Sequence, residues 1–307
     1  MSSLMLVDAA GLYYRAFYGV PAGRGGSDQP GNNAVRGFLD MLASLVGRWR
    51  PGGLVACWDA DWRPAFRVSA VSSYKTHRCH PDGSGREDVP EGLAEQVPVI
   101  AAALDAVGVA RVGVPGFEAD DVIGSFVSAF RGRPIDIVTG DRDLFQLVSD
   151  EQRVRVVYIA RGGVRDAQVV DEAWLAEHCG VSSGAAYADL AVLRGDPSDG
   201  LPGVVGVGEK TAVSLLSTFG DLAGVVAAVD AADIRLKGAQ ARRLREARAY
   251  LDVAPTVVRV VADCPLPSGV DGAIPRQVAD PRLVSELAVS YRLTSSFSRL
   301  MSALQIA

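Results

Sequence analysis

The 307-residue sequence has few residues of the types that build zinc sites, disulfide frameworks or nucleophilic triads. Its four cysteines lie far apart and form no C-x-x-C pair, which argues against structural zinc and against disulfide bonds. The three histidines include His77 and His80 on either side of Cys79, a pattern more typical of a solvated loop than of a metal site. Because no G-x-S-x-G motif occurs, nothing supports a Ser-His-Asp hydrolase.

Long apolar runs are missing as well. One of the longest, at residues 222–229, is closed by Asp221 and Asp230 and is too short to cross a bilayer. The first residues lead into a strand pattern without a basic region, so no secretory signal is expected. The content of 49% hydrophobic and 22% charged residues is ordinary for a globular protein of one large or two smaller domains. We therefore expect a cytoplasmic location and no membrane partner.

Net positive charge is absent, since 31 Lys and Arg stand against 36 Asp and Glu, and the formal charge is −5. This sum hides an asymmetry. Basic residues concentrate at 63–81, where they alternate with Phe66 and Tyr74, and again at 235–248. If metal ions neutralised nine clustered acids, the charge of −5 would become +4. An acidic protein of this kind can still bind nucleic acid through its basic surfaces.

Nine carboxylates follow or adjoin hydrophobic stretches in short clusters. Asp8 follows the apolar run 4–7, and Asp59 follows the run 54–58. In an α/β protein the carboxyl ends of parallel strands meet at one crevice, so these acids are expected to converge. Close carboxylates repel one another unless a cation lies between them, and oxygen ligands favour Mg²⁺ or Mn²⁺ over zinc. The predicted metal ligands are Asp8, Asp59, Glu118, Asp120, Asp121, Asp141, Asp143, Asp196 and Asp199. Scattered surface acids remain the alternative for any one of them.

Hydrophobic periodicity predicts an α/β first part and a helical second part. Short apolar runs predict strands at 4–8, 53–58, 109–114, 135–138 and 154–159, and helical spacing occurs at 33–48 and 90–107. This alternation implies a mostly parallel sheet with helices on both faces. The segment 60–89 has no periodicity, as in functional loops and lids. After Asp171 the pattern becomes helical, which predicts a second, α-rich subdomain.

The segment 196–212 combines two acids, a glycine-rich hairpin and the start of a helix. It is not a Walker A loop, because Glu209 separates Gly208 from Lys210. A helix–hairpin–helix element is the better interpretation, since its glycine backbone can approach a nucleic-acid phosphate and the helix N-terminus attracts the anion. A plain turn between helices is the alternative.

Taken together, these segments resemble the prokaryotic 5′-nuclease family of 5′–3′ exonucleases and flap endonucleases, which includes the amino-terminal domain of bacterial DNA polymerase I. The matches run in order over about residues 4–265, at 6–8 with 14–17, 33–38, Asp59 with 63–67, 74–78, 116–121, 139–143 and 195–212. Ala9-Ala10 replace the common Gly-Ser, and the segment 80–88 is longer than usual. Because the polymerase part is absent, a stand-alone nuclease is expected.

The resemblance implies a PIN-like nuclease domain at 1–170 with an arch at about 60–90. It also implies a helical subdomain at 171–307 with a helix-2-turn-helix motif at about 185–220. Asp8, Asp59, Glu118 and Asp120 would form one metal site, and the other five carboxylates one or two more. Lys75 and Arg78 would contact the scissile phosphate as catalytic residues, and the Val204 and Val207 backbone would hold K⁺. The implied DNA contacts are Arg15, Arg36, Arg63, Arg67, Tyr74, Gly203, Gly206, Gly208, Lys210 and Thr211.

The implied function is that of a structure-specific 5′ nuclease in DNA replication and repair, located in the cytoplasm near the nucleoid. Two or three Mg²⁺ or Mn²⁺ ions would support hydrolysis to 5′-phosphate and 3′-hydroxyl ends. Expected partners are flapped, nicked or branched DNA, RNA primers, a DNA polymerase and a ligase, with the protein itself a monomer. Three alternatives are a PIN-type ribonuclease, a non-catalytic DNA-binding protein and, more distantly, an aspartate-dependent phosphatase.

Overall fold

A six-stranded sheet lies at the centre of the computed structural model, which describes residues 2–22 and 30–306. The strands are β1 (Leu4–Asp8), β2 (Gly53–Cys57), β3 (Ala110–Val112), β4 (Ile135–Thr139), β5 (Val154–Tyr158) and β6 (Gln168–Val170). Their spatial order is β3-β2-β1-β4-β5-β6, and all neighbours are parallel except β5 and β6. The prediction of a mostly parallel sheet is therefore confirmed.

The central strands β1, β2 and β4 are buried at every position. This explains why they appear in the sequence as continuous apolar runs, since parallel strands are covered by helices on both faces. In the register of the sheet, Leu4 of β1 lies opposite Gly53 of β2 and Ile135 of β4. The carboxyl ends of these three strands therefore lie side by side at one edge.

Helices cover both faces of the sheet. In the described ranges they are α1 (Ala9–Gly19), α2 (Asn33–Trp49), α3 (Ala65–Ala70), α4 (Glu91–Ala94), α5 (Val97–Val107), α6 (Ala119–Ala129), α7 (Glu172–Cys179), α8 (Gly184–Arg194), α9 (Glu209–Phe219), α10 (Leu222–Asp230), α11 (Gly238–Glu246), α12 (Arg248–Val258), α13 (Pro281–Ser290) and α14 (Thr294–Leu304). Short 3-10 helices occur at Thr76–Arg78, Asp143–Leu147 and Pro197–Asp199. Within the described part of the chain no single helix could cross a membrane, although the bent pair α9 and α10, at 79° to each other, has the length and composition to do so.

Two hydrophobic cores lie on opposite faces of the sheet. The first joins the sheet to α6 and to the helical part of the chain, with Phe126, Phe145 and Tyr187 buried in it. The second joins the sheet to α1, α2 and α5 and also includes Phe297 and Leu300 of α14. The last two helices therefore pack against α2 and α5. This corrects the prediction that 171–307 forms one helical unit, because apolar stripes do not indicate which face of a sheet they will cover.

The segment 60–89 contains only the short helix α3 and the 3-10 helix Thr76–Arg78 and is otherwise without helices or strands. It packs closely against the rest of the protein. Tyr74 is buried in a small apolar cluster with Leu201 and Val257, which lie far away in the sequence. The backbone N–H of Lys75 donates to the Asp199 carbonyl at 2.9 Å. The base of this arch is thus fixed to the turn 196–201 and to α12.

Candidate active site

A cavity of about 1140 Å³ opens at the carboxyl ends of β1, β2 and β4. Its walls carry acids contributed by separate segments of the chain, namely Asp8, Asp59, Glu87, Glu118, Asp120, Asp141 and Asp196. They also carry the cationic side chains Arg15, Lys75, Arg78 and Arg142. Six of the nine predicted metal ligands and both predicted catalytic cations therefore line one cavity.

Asp8 is held in place by the elements on either side of it. Its Oδ1 accepts a hydrogen bond from the Gly11 N–H at 2.9 Å, so Asp8 caps α1. Its Oδ2 accepts from the Thr139 hydroxyl at 2.8 Å, and that hydroxyl accepts from the Asp141 N–H at 2.9 Å. Thr139 thus links the ends of β1 and β4. Our sequence analysis missed this residue, although its place directly before Gly140-Asp141 could have indicated it.

The amino end of α6 brings a second group of acids to the cavity. Glu118 is the N-cap residue of α6, and Asp120 lies in its first turn. The Asp59 carboxylate accepts a hydrogen bond from the Ala119 N–H at 2.8 Å, which joins the end of β2 to α6. A helix N-terminus favours negative charge, so it offsets part of the repulsion among these acids.

Asp143 and Asp199 lie at a smaller cavity of about 20 Å³, which shares lining residues with the first. Glu118, Asp120, Asp143 and Asp199 all line it. Asp143 is held by its N–H, which donates to the Asp141 carboxylate at 2.9 Å. Since Glu118 and Asp120 line both cavities, the acids form one continuous group.

Mutual repulsion and burial raise the pKa values of several of these acids. Burial, together with the charges of Asp59 and Asp141, raises the pKa of Asp8 to about 6. Burial and the charges of Asp141 and Asp8 raise the pKa of Asp120, and burial and Asp141 raise that of Asp143. A divalent cation between such groups would remove the repulsion and restore their charged forms.

The chemistry of the donors fits hard divalent ions. Carboxylate oxygens in excess are the ligands that Mg²⁺ and Mn²⁺ prefer. Two of the acids are held by cations: Glu118 by Lys75 and Arg67, and Asp199 by Arg78 at 2.8 Å. Among the residues that the structure describes, no group of three His, Cys, Asp or Glu side chains has the geometry of a metal site as it stands.

Asp121, the ninth predicted metal ligand, lines neither of the two cavities and is held in an ion pair with Arg67. Its side chain is fully buried and accepts two hydrogen bonds from the Arg67 guanidinium, at 2.6 and 2.7 Å. It also accepts from the Val261 N–H at 2.8 Å and from the Glu118 N–H at 3.2 Å. Asp121 adjoins Asp120 in sequence. Successive helical residues point about 100° apart, so the two side chains face different surroundings.

Four predicted DNA contacts have structural roles in this protein. Arg67 is 2% exposed and Tyr74 3% exposed, and the Tyr74 hydroxyl donates to Glu118 at 2.8 Å. Gly203 is buried, and a Cβ there would lie only 2.4 Å from the Arg194 carbonyl oxygen. Arg63 donates to the Tyr74 carbonyl at 2.6 Å and so supports the arch. Arg67, Tyr74 and Gly203 are thus buried in this structure, and their roles as DNA contacts stay predictions.

Other predicted DNA contacts remain accessible. Arg15 lines the cavity and donates to the Ala160 carbonyl at 2.8 Å, and Arg36 donates to the Pro21 carbonyl at 2.8 Å. Lys210 is exposed in the first turn of α9, next to Thr211. Gly206 and Gly208 are exposed in the preceding hairpin.

The hairpin before α9 is a tight turn with a buried base. The side chains of Val204 and Val207 are buried, and the Val207 N–H donates to the Val204 carbonyl at 2.9 Å. Gly206 adopts φ +73°, a conformation that favours glycine. The turn therefore exposes the side chain of Val205, at 73%, together with the backbone of Gly206 and Gly208 at the start of α9.

Comparison with known protein families gives matches along most of the chain. The family described as 5′–3′ exonuclease, N-terminal resolvase-like domain, matches residues 3–180. The family described as 5′–3′ exonuclease, C-terminal SAM fold, matches residues 182–280. The second match includes the 196–212 segment.

Two curated relatives match this chain over nearly its whole length, and a third matches three quarters of it. A 5′–3′ exonuclease of Streptomyces coelicolor is 55% identical over 303 residues, covering 98% of this chain and 99% of the relative. A 5′–3′ exonuclease of Mycobacterium tuberculosis is 45% identical, covering 99% of this chain and 98% of the relative. A DNA polymerase I of Mycobacterium bovis is 39% identical over 75% of this chain and 24% of the polymerase.

Solved structures share the fold at lower identity. The bacteriophage T5 D15 protein, crystallised with metal ions, has a TM-score of 0.64 and 17% identity over 98% of each chain. The T5 D15 flap endonuclease in a complex with DNA and metal ions has a TM-score of 0.63 over 98% and 99%. At this level of identity the likeness establishes the fold alone.

Proposed function

The chain belongs to the 5′–3′ exonuclease family, and from this we propose that it is a metal-dependent, structure-specific 5′ nuclease that hydrolyses DNA phosphodiesters. The observation that carries the proposal is the cavity at the carboxyl ends of β1, β2 and β4. Carboxylates from three strand ends and from α6 line it together with Lys75 and Arg78. Such a site suits phosphoryl chemistry, in which negative charge has to be offset on both sides of the bond that breaks.

We assign the metal-binding roles to eight of the nine predicted carboxylates. Asp8, Asp59, Glu118 and Asp120 form the first group, and Asp141, Asp143, Asp196 and Asp199 form the second. When bound, Mg²⁺ or Mn²⁺ supplies positive charge that lowers the pKa of water and offsets the charge of the phosphate. Two or three ions fit this number of ligands. The raised pKa values of Asp8, Asp120 and Asp143 support the assignment, because such groups gain most from a nearby cation.

Lys75 and Arg78 are assigned to the scissile phosphate. Both line the cavity, and both are held by acids of the site, Lys75 by Glu118 and Arg78 by Asp199. These ion pairs keep the two cations pointed at the cavity before the substrate arrives. Cations placed in this way stabilise the charge that develops on phosphate oxygens. The products would carry 5′-phosphate and 3′-hydroxyl ends.

Duplex DNA would bind beside the cavity at the start of α9. Gly206, Gly208, Lys210 and Thr211 lie there, where an exposed backbone and a helix N-terminus attract phosphate. We further propose that the backbone at 204–207 holds K⁺ and that Arg15 and Arg36 contact the strand nearer the cavity. The T5 flap endonuclease, which shares the fold, is described in a complex with DNA and metal ions.

Several finer features of the function are part of the same proposal. RNA primers would be a further substrate, and a DNA polymerase and a ligase would act before and after this enzyme. The protein would act as a monomer in the cytoplasm, close to the nucleoid. The arch at 60–90 would belong to a nuclease domain that extends to about residue 170 and is completed by α13 and α14.

An assay with labelled 5′-flap DNA, nicked DNA, single-stranded DNA and unstructured RNA tests this function. Each substrate is incubated with Mg²⁺, Mn²⁺ or a chelator, and Asp143→Asn serves as the inactive control. We expect metal-dependent cleavage that is fastest on flapped or nicked DNA and leaves 5′-phosphate ends. Cleavage of RNA alone would favour a PIN-type ribonuclease. DNA binding without cleavage under every metal condition would contradict the proposal.

A further inference from the structure

The residues 79–88 form a small hairpin at the rim of the cavity. Cys79 and Glu87 pair in an antiparallel bridge, and the Asp88 N–H donates to the Arg78 carbonyl at 2.8 Å. The tip is closed by an ion pair between Arg86 and Asp82 at 2.8 Å. Since one strand of the hairpin continues directly from Arg78, its position is coupled to that of a proposed catalytic residue.

This hairpin places one carboxylate at the cavity that the sequence analysis did not include in the site. Glu87 lines the cavity, as do Tyr14, Lys75 and Arg78. Burial and the charge of Asp59 raise the pKa of Glu87, whereas the nearby charges of Arg78 and Lys75 oppose this rise. Glu87 therefore shares a cavity with both cations that would receive the scissile phosphate.

A carboxylate in this position differs from the strand-end acids in its surroundings. It comes from the hairpin 79–88, whereas Asp8, Asp59 and Asp141 follow the ends of β1, β2 and β4. A phosphate in this cavity is attracted by Lys75 and Arg78 and repelled by Glu87. Removal of one negative charge from the cavity changes anion affinity by a factor of about three to ten at an effective dielectric constant between those of water and protein.

We propose that Glu87 is a specificity-determining residue that competes with DNA phosphate for Arg78 and Lys75 and thereby restricts which strands enter the cavity. The inference rests on the proposed nuclease function and deepens it. A flap or 5′ end that is already anchored by its duplex can overcome this competition. An unanchored single strand binds too weakly to do so. Glu87 would thus weaken all phosphate binding at the cavity and leave binding at the α9 hairpin unchanged.

The test compares Glu87→Gln with Asp88→Asn in the full-length protein. Gln keeps the size of Glu87 and removes its negative charge. Asp88 is its neighbour in the same hairpin, but it is exposed and does not line the cavity, so it controls for a change of net charge. KM, kcat and the half-saturating Mn²⁺ concentration are measured on 5′-flap and single-stranded DNA. Dissociation constants for 5′-flap DNA and flap-free duplex are measured in the Asp143→Asn background with a chelator.

We expect Glu87→Gln to lower KM and the dissociation constant for flap DNA by about three- to ten-fold, with kcat and the Mn²⁺ requirement within two-fold of wild type. The KM for single-stranded DNA should fall by a larger factor. The dissociation constant for flap-free duplex, and every constant of Asp88→Asn, should change less than two-fold. A higher Mn²⁺ requirement would show that Glu87 is a metal ligand, and equal effects of the two variants would show a general charge effect. Either result would overturn the inference. Absence of cleavage by the wild type would instead count against the proposed function.

Discussion

Arg67 and Asp121 form a bidentate ion pair in the interior of the protein, with the guanidinium nitrogens 2.6 and 2.7 Å from the carboxylate oxygens. Arg67 belongs to α3 of the arch, and Asp121 belongs to α6. The same guanidinium donates to Glu118 and, at 3.1 Å, to the Val257 carbonyl. One buried cation therefore connects the arch, the amino end of α6 and the end of α12.

Replacement of Arg67 should destabilise the protein strongly. Arg67→Met would leave Asp121 buried without its cation and Glu118 with Lys75 alone, and breaking a buried pair in this way costs about 3–5 kcal/mol. The control is Arg282→Met, because Arg282 pairs with Glu286 on the surface and such pairs contribute about 0–1 kcal/mol. Urea unfolding in the presence of a chelator measures the free energy of unfolding of both variants. Equal losses in the two variants would contradict the role of Arg67.

Asp120 and Asp121 should respond differently to the same substitution. Asp120→Asn should raise the half-saturating Mn²⁺ concentration by at least about ten-fold, because it removes a proposed ligand charge from the cavity. Asp121→Asn should lower the melting temperature, since it weakens the pair with Arg67, and should change the Mn²⁺ requirement less than about three-fold. Metal titrations of cleavage, made below the melting temperature of each variant, distinguish the two. An equal rise in the Mn²⁺ requirement would restore Asp121 as a ligand.

Much of this site could be predicted from the order of residues along the chain. Asp8, Asp59 and Asp141 each follow a buried run, and parallel strands place such endings at the same edge of the sheet. This reasoning needs only the strand pattern and the rule for α/β folds. It identified the cavity without information about which strands are neighbours.

The contacts made by the arch could not be predicted in the same way. Arg67, Tyr74 and Gly203 look like DNA contacts in the sequence because they lie in basic or glycine-rich segments. The burial of Arg67 and Tyr74 depends on packing of the arch against α6 and α12, which are distant in sequence, and Gly203 packs against the end of α8. Hydrophobic periodicity shows which face of a helix or strand is buried. It does not show which other element packs against that face. The same limit applies to α14, whose apolar stripe gave no sign that it packs against α2.

Lys75→Ala should reduce cleavage much more than it reduces DNA binding. The ammonium lies on the cavity wall beside Glu118, and its loss removes charge from the place where the phosphate would react. We expect kcat on flap DNA to fall by about 10²- to 10³-fold, the size typical of losing one charge-stabilising donor. The dissociation constant for duplex should change less than about three-fold, because the α9 hairpin is untouched. Single-turnover rates and fluorescence anisotropy test this. Wild-type rates would remove Lys75 from the catalytic site.

The metal-free protein should lose stability as the pH rises, in part because of Asp8. The folded-state pKa of Asp8 is raised to about 6, whereas an unfolded aspartate titrates near the ordinary value of 3.8. Between these two values the folded state holds more protons than the unfolded state, so the free energy of unfolding falls with increasing pH. Asp8→Asn removes this contribution. Its melting temperature in a chelator should match that of the wild type near pH 4 and exceed it above pH 6.

Divalent ions should restore the stability that is lost at high pH, and more so in the wild type than in Asp8→Asn. Mn²⁺ favours the charged form of Asp8, so it should raise the wild-type melting temperature more at pH 7.5 than at pH 5. The increase should be smaller in Asp8→Asn, because one ligand charge is missing. Thermal unfolding at several pH values, with Mn²⁺ or chelator, gives both comparisons. If the metal-free wild type stayed as stable as Asp8→Asn at pH 7.5, the repulsion among the cavity acids would be too weak to require a bound cation.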